Sequence, residues 1–290
     1  MTSEIKPVFE PLSGREVLAA KAASISRSLG RMLVRPVVRD TGKVAREYHG
    51  GHWARVLAER QWESTSGLEA FLVGLDQTPI IAKVDDQICR IKRAEYYRYR
   101  IDALAQLIGS SLGDEHDIVE VGCGFGYNLF GLALSFPNLR LTGVDISANG
   151  IEAARAIARH FGISDRVQFE MLDVTKPDDR NFALLNGRAC FTYFCLEQIP
   201  YDVEQVVKNI LMAKPSRVLH VEPTTEDLGY GRRDWVNYLY VKSMDYQSRL
   251  FTVLRELDKA GHLHLLRTGR IPFAPTIQND GFSATWEPIG

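Results

Sequence analysis

The sequence predicts an α/β protein built on a doubly wound, largely parallel sheet. Three observations carry this expectation. From residue 90 onward, short apolar runs alternate with stretches of helical periodicity. One run, Asp117-Ile-Val-Glu-Val121, passes into glycines at 122, 124 and 126 and then into a helix. Two later runs end on acids, Asp145 and Asp173, where open α/β sheets contact ligands.

Residues 15–35 read as a basic amphipathic helix, with Val17, Leu18, Ile25, Leu29 and Leu33 against Arg15, Lys21, Arg27, Arg31 and Arg35. Two readings stand: a helix packed on the core with a solvated basic face, or a surface for a membrane or partner. Residues 36–52 are strand-poor and lead into Tyr48-His-Gly-Gly-His-Trp53, a turn with packed aromatics or a mobile loop. The two histidines lack a third ligand, so no metal is expected. Residues 1–92 are expected to be a mainly helical extension or cap, and residues 93–290 the main domain. Arg90 to Gly109 reads as a helix carrying Arg93, Tyr96, Tyr97, Arg98, Tyr99 and Arg100.

Gly122, Gly124 and Gly126 allow a tight turn and close approach of a ligand to the backbone. The helix after them, from about Asn128 to Ser135, offers unpaired N–H groups at its start. Glu120 lies two residues before the first glycine. A carboxylate there repels a pyrophosphate but welcomes an ammonium group. The dinucleotide pattern Gly-x-Gly-x-x-Gly requires glycine at 127, and that position is Tyr. Leu139–Ile146 is a strand carrying Asp145, placed to accept hydrogen bonds from ribose hydroxyls. A helix from Ala148 to Phe161 follows, then a strand from Val167 to Asp173, whose acid suits an adenine amino group. The run 189–196 is a central buried strand. A helix spans 203–212, and the strand 217–222 stops at Pro223. One long helix is expected over 235–259, then a closing antiparallel pair at 262–270 and 281–287.

Residues 117–222 resemble the core of a class I S-adenosylmethionine (SAM)-dependent methyltransferase. The resemblance rests on Glu120-Val-Gly-Cys-Gly-Phe-Gly126, Asp145 and Asp173. It implies a seven-stranded Rossmann-like sheet whose last strand is antiparallel and inserted beside the fifth. It implies SAM as cofactor, held by Glu120, Gly122, Gly124, Gly126, Asp145 and Asp173, with Ile146, Leu172, Phe194 and Tyr97 beside them. Tyrosine and arginine on the helix before the first strand shield the sulfonium or bind the methionine carboxylate on one reading, and simply pack on the other.

Acceptor-side candidates lie at the fourth and fifth strand ends. His220 and Glu222 share a strand face. His220 is a general base or a hydrogen-bonded core histidine. Glu197 is a substrate ligand or a helix-entry charge. Asp245, Tyr246 and Tyr230 are the expected substrate contacts, with 224–234 and 272–281 as pocket walls. The fourth strand end, Phe194-Cys-Leu-Glu197, departs from the Asn-Pro-Pro-Tyr tetrad of amino-group methyltransferases acting on DNA and protein. A small polar acceptor is expected, methylated on a hydroxyl. An amine acceptor, or a SAM-binding regulatory or scaffold protein without transfer, are the alternatives.

Composition sets the outer limits. A net charge of −1 gives no pull toward nucleic acid. No run of about 18 apolar residues exists to span a membrane, and residues 1–14 do not read as a signal peptide. Cys89, Cys123, Cys190 and Cys195 lack metal-type spacing, as in a reduced cytoplasmic protein. A homo-oligomer through the N-terminal region is a further expectation.

Overall fold

The computed structural model describes residues 9–34, 36–74, 76–113, 115–226 and 234–289. The strands are β1 (Glu10–Pro11), β2 (Pro79–Val84), β3 (Gln87–Lys92), β4 (Asp117–Val121), β5 (Arg140–Asp145), β6 (Val167–Met171), β7 (Ala189–Tyr193), β8 (Arg217–Glu222), β9 (Leu263–Arg270) and β10 (Phe282–Pro288). The helices are α1 (Gly14–Val34), α2 (Thr41–Arg46), α3 (Ala54–Glu59), α4 (Leu68–Val73), α5 (Arg93–Leu112), α6 (Tyr127–Ser135), α7 (Ala148–His160), α8 (Val203–Met212), α9 (Trp235–Ser243) and α10 (Leu250–Lys259).

Seven strands form one sheet in the order β6-β5-β4-β7-β8-β10-β9. The pairs among β4, β5, β6, β7 and β8 are parallel. The last strand, β10, runs antiparallel between β8 and β9 and aligns Phe282 with Glu222. This is the seven-stranded Rossmann-like sheet that the resemblance implied. Ile118 and Val119 on β4, and Cys190 and Phe191 on β7, are buried on opposite sheet faces, which explains these strands' apolar runs. The order reverses at β4, between β5 and β7. The carboxyl ends of these strands therefore open a crevice at a topological switch point.

Two expectations are corrected. The first is the helix expected from Arg90: residues 90–92 end strand β3, and α5 starts at Arg93. β2 and β3 form a hairpin with β1 on its outer edge. Asp85 and Asp86 turn the hairpin with φ of 47° and 63°, the left-handed pair a tight two-residue turn needs. The second is the helix expected over 235–259, which is two helices. Asp245 adopts φ of 53° between them, and its carboxylate accepts from the Arg39 backbone N–H at 2.8 Å. Gln247 Oε1 then accepts from the N–H groups of Arg249 and Leu250, both at 3.0 Å, and starts α10. A side-chain-to-backbone bond across distant segments outweighs the local helical period.

The hairpin is fastened to the C-terminal segment by buried ions. Lys83 and Arg270 both pair with Asp280, whose own N–H donates to Asn237 Oδ1 at 3.1 Å. Lys83 and Asp280 side chains are only 5 % and 4 % exposed. Removing the shared carboxylate leaves the buried Lys83 ammonium with only the exposed Asp86, 3.8 Å away, and strips the partly exposed Arg270 of its partner. Asp280→Ala is expected to cost about 3–5 kcal/mol in urea unfolding. A loss below about 1 kcal/mol would show that water screens these charges.

Candidate active site

The glycine loop is fixed from three sides. The N–H groups of Gly122 and Cys123 donate to Val144 O at 2.7 and 3.1 Å, which ties the turn to β5. Gly124 N–H donates to Asp145 Oδ2 at 2.8 Å, while Asp145 Oδ1 accepts from Ser147 N–H at 2.7 Å. Gly122 and Gly124 have φ of 79° and 55°, where a side chain is strained. A Cβ on Gly122 would lie 2.1 Å from Cys195 Sγ, and one on Gly124 would lie 2.7 Å from the Trp53 ring. The loop is thus pressed between the end of β7 and an indole supplied by the N-terminal region.

A cavity of about 160 Å3, open at its mouth, lies over this loop. Of the expected cofactor contacts, Gly122, Gly124, Asp145, Ile146, Leu172, Asp173 and Phe194 line it. Glu120, Gly126 and Tyr97 are not on its wall. Gly126 closes the turn as the residue before α6, with φ of 84°. Tyr97 packs beside Tyr127, with ring centroids 6.0 Å apart. Val44 and Trp53 also line the cavity, as do Gln198 and Ile199 after β7. Trp53 was not expected in this role. The only trace of it in the sequence is an aromatic flanked by Gly-Gly-His. Asp173 turns inward, where its Oδ1 accepts from the N–H and hydroxyl of Thr175 at 3.0 and 2.6 Å.

Beneath the loop lies a second polar group of residues. Glu120 is fully buried, and its Oε1 accepts from Asn128 Nδ2 at 2.6 Å. Its Oε2 is buried without a hydrogen-bond partner. Burial pushes this carboxyl up to about 8, against the pull of Asn128 and the Arg100 charge. Arg100 comes from α5. It donates to Asn128 Oδ1 at 3.0 Å and lies over the Tyr127 and Tyr193 rings at 4.6 and 5.2 Å. Its Nε is also buried and unbonded. Glu120 and Arg100 therefore each keep one buried atom without a partner, and both bond Asn128.

The acceptor-side candidates separate into different places. His220 is fully buried in the sheet and does not line the cavity. Its Nδ1 stands 3.0 Å from Thr192 Oγ1, and burial drives its pKa down to about 3. It is a neutral core histidine in this structure. Glu222 is equally buried and holds the loop after β7: Oε1 accepts from Cys195 and Leu196 N–H, and Oε2 from Glu197 N–H, all at 3.2 Å. Burial raises its carboxyl to about 7 despite these bonds. Those bonds hold the left-handed turn at Phe194, φ 49°, at the site where β7 was expected to continue to residue 196.

Glu197 reaches closest to the cavity wall through its neighbour Gln198. Its Oε1 accepts from Gln198 Nε2 at 2.7 Å, and its Oε2 is buried without a formed hydrogen bond. Burial and the nearby Glu222 charge hold the Glu197 carboxyl well above the carboxylate range, opposed by Tyr246 and Arg39. Arg39 donates from its guanidinium to Gln198 Oε1 and, at 2.8 Å, to Met244 O, and lies 4.9 Å over the Tyr246 ring. Asp245 is occupied by Arg39 N–H and the Tyr201 hydroxyl rather than facing the cavity. Tyr230 lies outside the described residues. No group of three or more His, Cys, Asp or Glu is placed to hold a metal among the described residues, and no described helix is long and apolar enough to cross a membrane.

Asp145 retains lone pairs at the cavity wall, the Gly124 cradle has no room for a Cβ, and Glu120 Oε2 is buried without a partner.

The family description "methyltransferase domain" matches residues 112–216. A release factor glutamine methyltransferase of Chlorobaculum tepidum is 35 % identical over 92 residues, 31 % of each chain. An uncharacterized protein of Rickettsia prowazekii is 32 % identical over 28 % of this chain and 15 % of its own length. The chain therefore spans a third or less of the curated relatives it matches. Among solved structures, the [4+2]-cyclase SpnF superposes with a TM-score of 0.56 at 15 % identity, over 88 % of this chain and 98 % of that one. A geranyl diphosphate C-methyltransferase from Streptomyces coelicolor, solved with S-adenosyl-L-homocysteine, gives 0.51 at 13 % identity over 68 % and 79 %. These structural likenesses bear on the fold.

Substituting the glycine that faces Trp53 tests the cradle. Gly124→Val is expected to destabilise the ligand-free protein by about 1–3 kcal/mol through left-handed backbone strain alone, with the indole displaced in addition. Unchanged thermal unfolding would show that the loop relaxes freely.

Proposed function

We propose that this chain, which carries a methyltransferase domain and the class I SAM-dependent methyltransferase fold, transfers a methyl group from SAM to a hydroxyl of a small polar molecule. SAM supplies an electrophilic methyl on a sulfonium. Asp145 takes the ribose hydroxyls. Asp173 faces the adenine amino group, with Ile146 and Leu172 against the base. Glu120 accepts the methionine ammonium, and Arg100 donates to the carboxylate. Tyr97 supports Tyr127 beneath that end, and Gly122, Gly124, Gly126 and Phe194 shape the cradle. Trp53 closes the cavity from the N-terminal side and excludes water, which strengthens each polar contact inside.

The observation that carries the hydroxyl assignment is Glu197: a buried carboxyl, its Oε2 unbonded, beside a residue of the cavity wall. In-line displacement needs the nucleophile held near attack distance. The methyl carbon's bond to sulfur breaks as its bond to the hydroxyl oxygen forms, and Glu197 Oε2, in the molecules where this carboxyl is ionised, takes the hydroxyl proton. His220 has no part in this step. A protein side-chain amide is disfavoured as acceptor, since Phe194-Cys-Leu-Glu197 stands where Asn-Pro-Pro-Tyr would orient an amine. The four cysteines are free, as suits a reducing compartment such as the cytoplasm.

Glu197→Gln tests the base. Transfer of labelled methyl to a panel of hydroxylated acceptors should fall about 10²–10⁴-fold while SAM affinity holds. Equal rates for the two proteins would remove Glu197 from the reaction.

The cofactor side has its own pH signature. Glu120 is protonated below about 8 and must ionise to take an ammonium, so binding releases a proton. SAM affinity should therefore rise with pH, by up to about tenfold per unit, and level off above pH 8. Glu120→Gln should flatten this slope in calorimetric titrations. A slope that survives in the variant would assign the released proton to another group.

Stability is linked to the same carboxyls with the opposite sign. Folded Glu120 and Glu222 titrate near 8 and 7, above their unfolded value, so the stability they contribute is complete below about pH 4.5 and is lost as pH rises through 7 to 8. His220 works the other way, between 6.5 and 3. Between pH 6.5 and 8.5 the ligand-free melting temperature should therefore fall.

A further inference from the structure

Arg39 is only 5 % exposed, yet among the described residues its guanidinium is met by neutral groups. Nε donates to Met244 O at 2.8 Å, Nη1 donates to Gln198 Oε1, and Cζ lies 4.9 Å over the Tyr246 ring. The Asp245 carboxylate takes the Arg39 backbone N–H, at 2.8 Å, rather than the side chain. A cation removed from water without a paired acid is costly. What lies behind Gln198 accounts for it. Gln198 lines the cavity, and its Nε2 donates to Glu197 Oε1 at 2.7 Å.

The three side chains form a chain with a direction. A guanidinium has donors, no acceptor, and a charge it does not lose at any working pH. Gln198 must therefore turn its carbonyl oxygen to Arg39, which turns its NH2 to Glu197. Glu197 Oε1 is thus a hydrogen-bond acceptor, and a proton on this carboxyl belongs to Oε2, the buried oxygen without a partner. A primary amide has nearly the same shape either way round, so its own packing does not decide its orientation. Reversed, the Gln198 carbonyl would accept the Glu197 proton at Oε1 and hold the acid form. Arg39 is fixed independently of Gln198, through Met244 O and Asp245, so it dictates the orientation and Gln198 follows.

We infer that Arg39 is a positioning residue for methyl transfer: through Gln198 it fixes Glu197 Oε1 as an acceptor, assigns the mobile proton to Oε2 and keeps the carboxyl able to ionise. This rests on the reading of Glu197 as the base. The charges around Glu197 act on the same balance. Burial first, and then the Glu222 charge on β8, favour the acid form, while Gln198, Tyr246 and Arg39 favour the ionised one. Tyr193 and Cys195 at the end of β7, and Tyr240 on α9, also face Glu197.

Infrared difference spectra of the ligand-free full chain, taken as a pH titration, test this without an acceptor. The carboxylic-acid C=O band that Glu197→Gln removes belongs to Glu197. In Arg39→Met this band should persist to higher pH than in the wild type, because both the cation and the amide donor are lost. Gln198→Ala should move it in the same direction. Adding Arg39→Met to Gln198→Ala should shift it less than Arg39→Met does alone, since the two act through one chain. With labelled SAM and the hydroxylated acceptors, Arg39→Met should lower kcat by about 10–100-fold at unchanged SAM affinity. A band that Arg39→Met leaves in place would overturn the inference, as would shifts from the two substitutions that simply add. A wild-type Glu197 that keeps its proton at every pH where the chain is folded would do the same. Should Arg39→Met not fold, an unmoved band in Gln198→Ala is the overturning result. Failure of the base reading is distinct: Glu197→Gln then turns over like the wild type, whatever the band does.

Discussion

One hydrogen bond sets the geometry of the whole site: Gly124 N–H to Asp145 Oδ2, 2.8 Å. It joins the loop after β4 to the end of β5. It is possible only because Gly124 adopts a left-handed backbone with no side chain between the loop and Trp53. The same carboxylate starts α7 through Ser147. A single acid therefore holds the turn, orients a helix and keeps lone pairs turned to the cavity. An acid at this position serves a ribose in either kind of nucleotide site; had a pyrophosphate been the ligand, Glu120 would have opposed it.

Around this bond the carboxylates divide by environment. Asp145 and Asp173 are tied to backbone or neighbouring hydroxyls at the cavity wall. Glu222 spends both oxygens on three N–H groups and so builds the turn at Phe194. Glu120 and Glu197 each leave one buried oxygen unbonded. Unsatisfied buried acceptors are costly to a folded protein. The unbonded oxygen on each separates these two from the structural acids, and the proposed function gives each a partner.

Much of this was legible in the sequence, for a definite reason. Alternating strands and helices, the glycine spacing and the acid-ended strands are local features, and they returned the parallel strands, the helices α6, α7 and α8 and the cavity floor, while the place of the antiparallel last strand came from the family resemblance. Long-range contacts were not legible. The break at Asp245 depends on the Arg39 backbone, some 200 residues away, and the hairpin β2–β3 turns on Asp-Asp in place of a glycine pair. His220 and Glu222 illustrate a subtler limit. Alternation put them correctly on one strand face, but it does not say that β10 covers that strand, aligning Ala284 with His220. Trp53 and Arg39 reach the site from the N-terminal segment, a placement no periodicity encodes.

The central claim is that this cavity takes a cationic nucleoside and not a dinucleotide. Isothermal titration of the wild-type chain with SAM, with S-adenosylhomocysteine and with NADH tests it most directly. Micromolar binding of both sulfur ligands and no heat from NADH is the predicted result. Binding of NADH with silence from SAM would contradict the account and turn Glu120 from a ligand for ammonium into a structural acid.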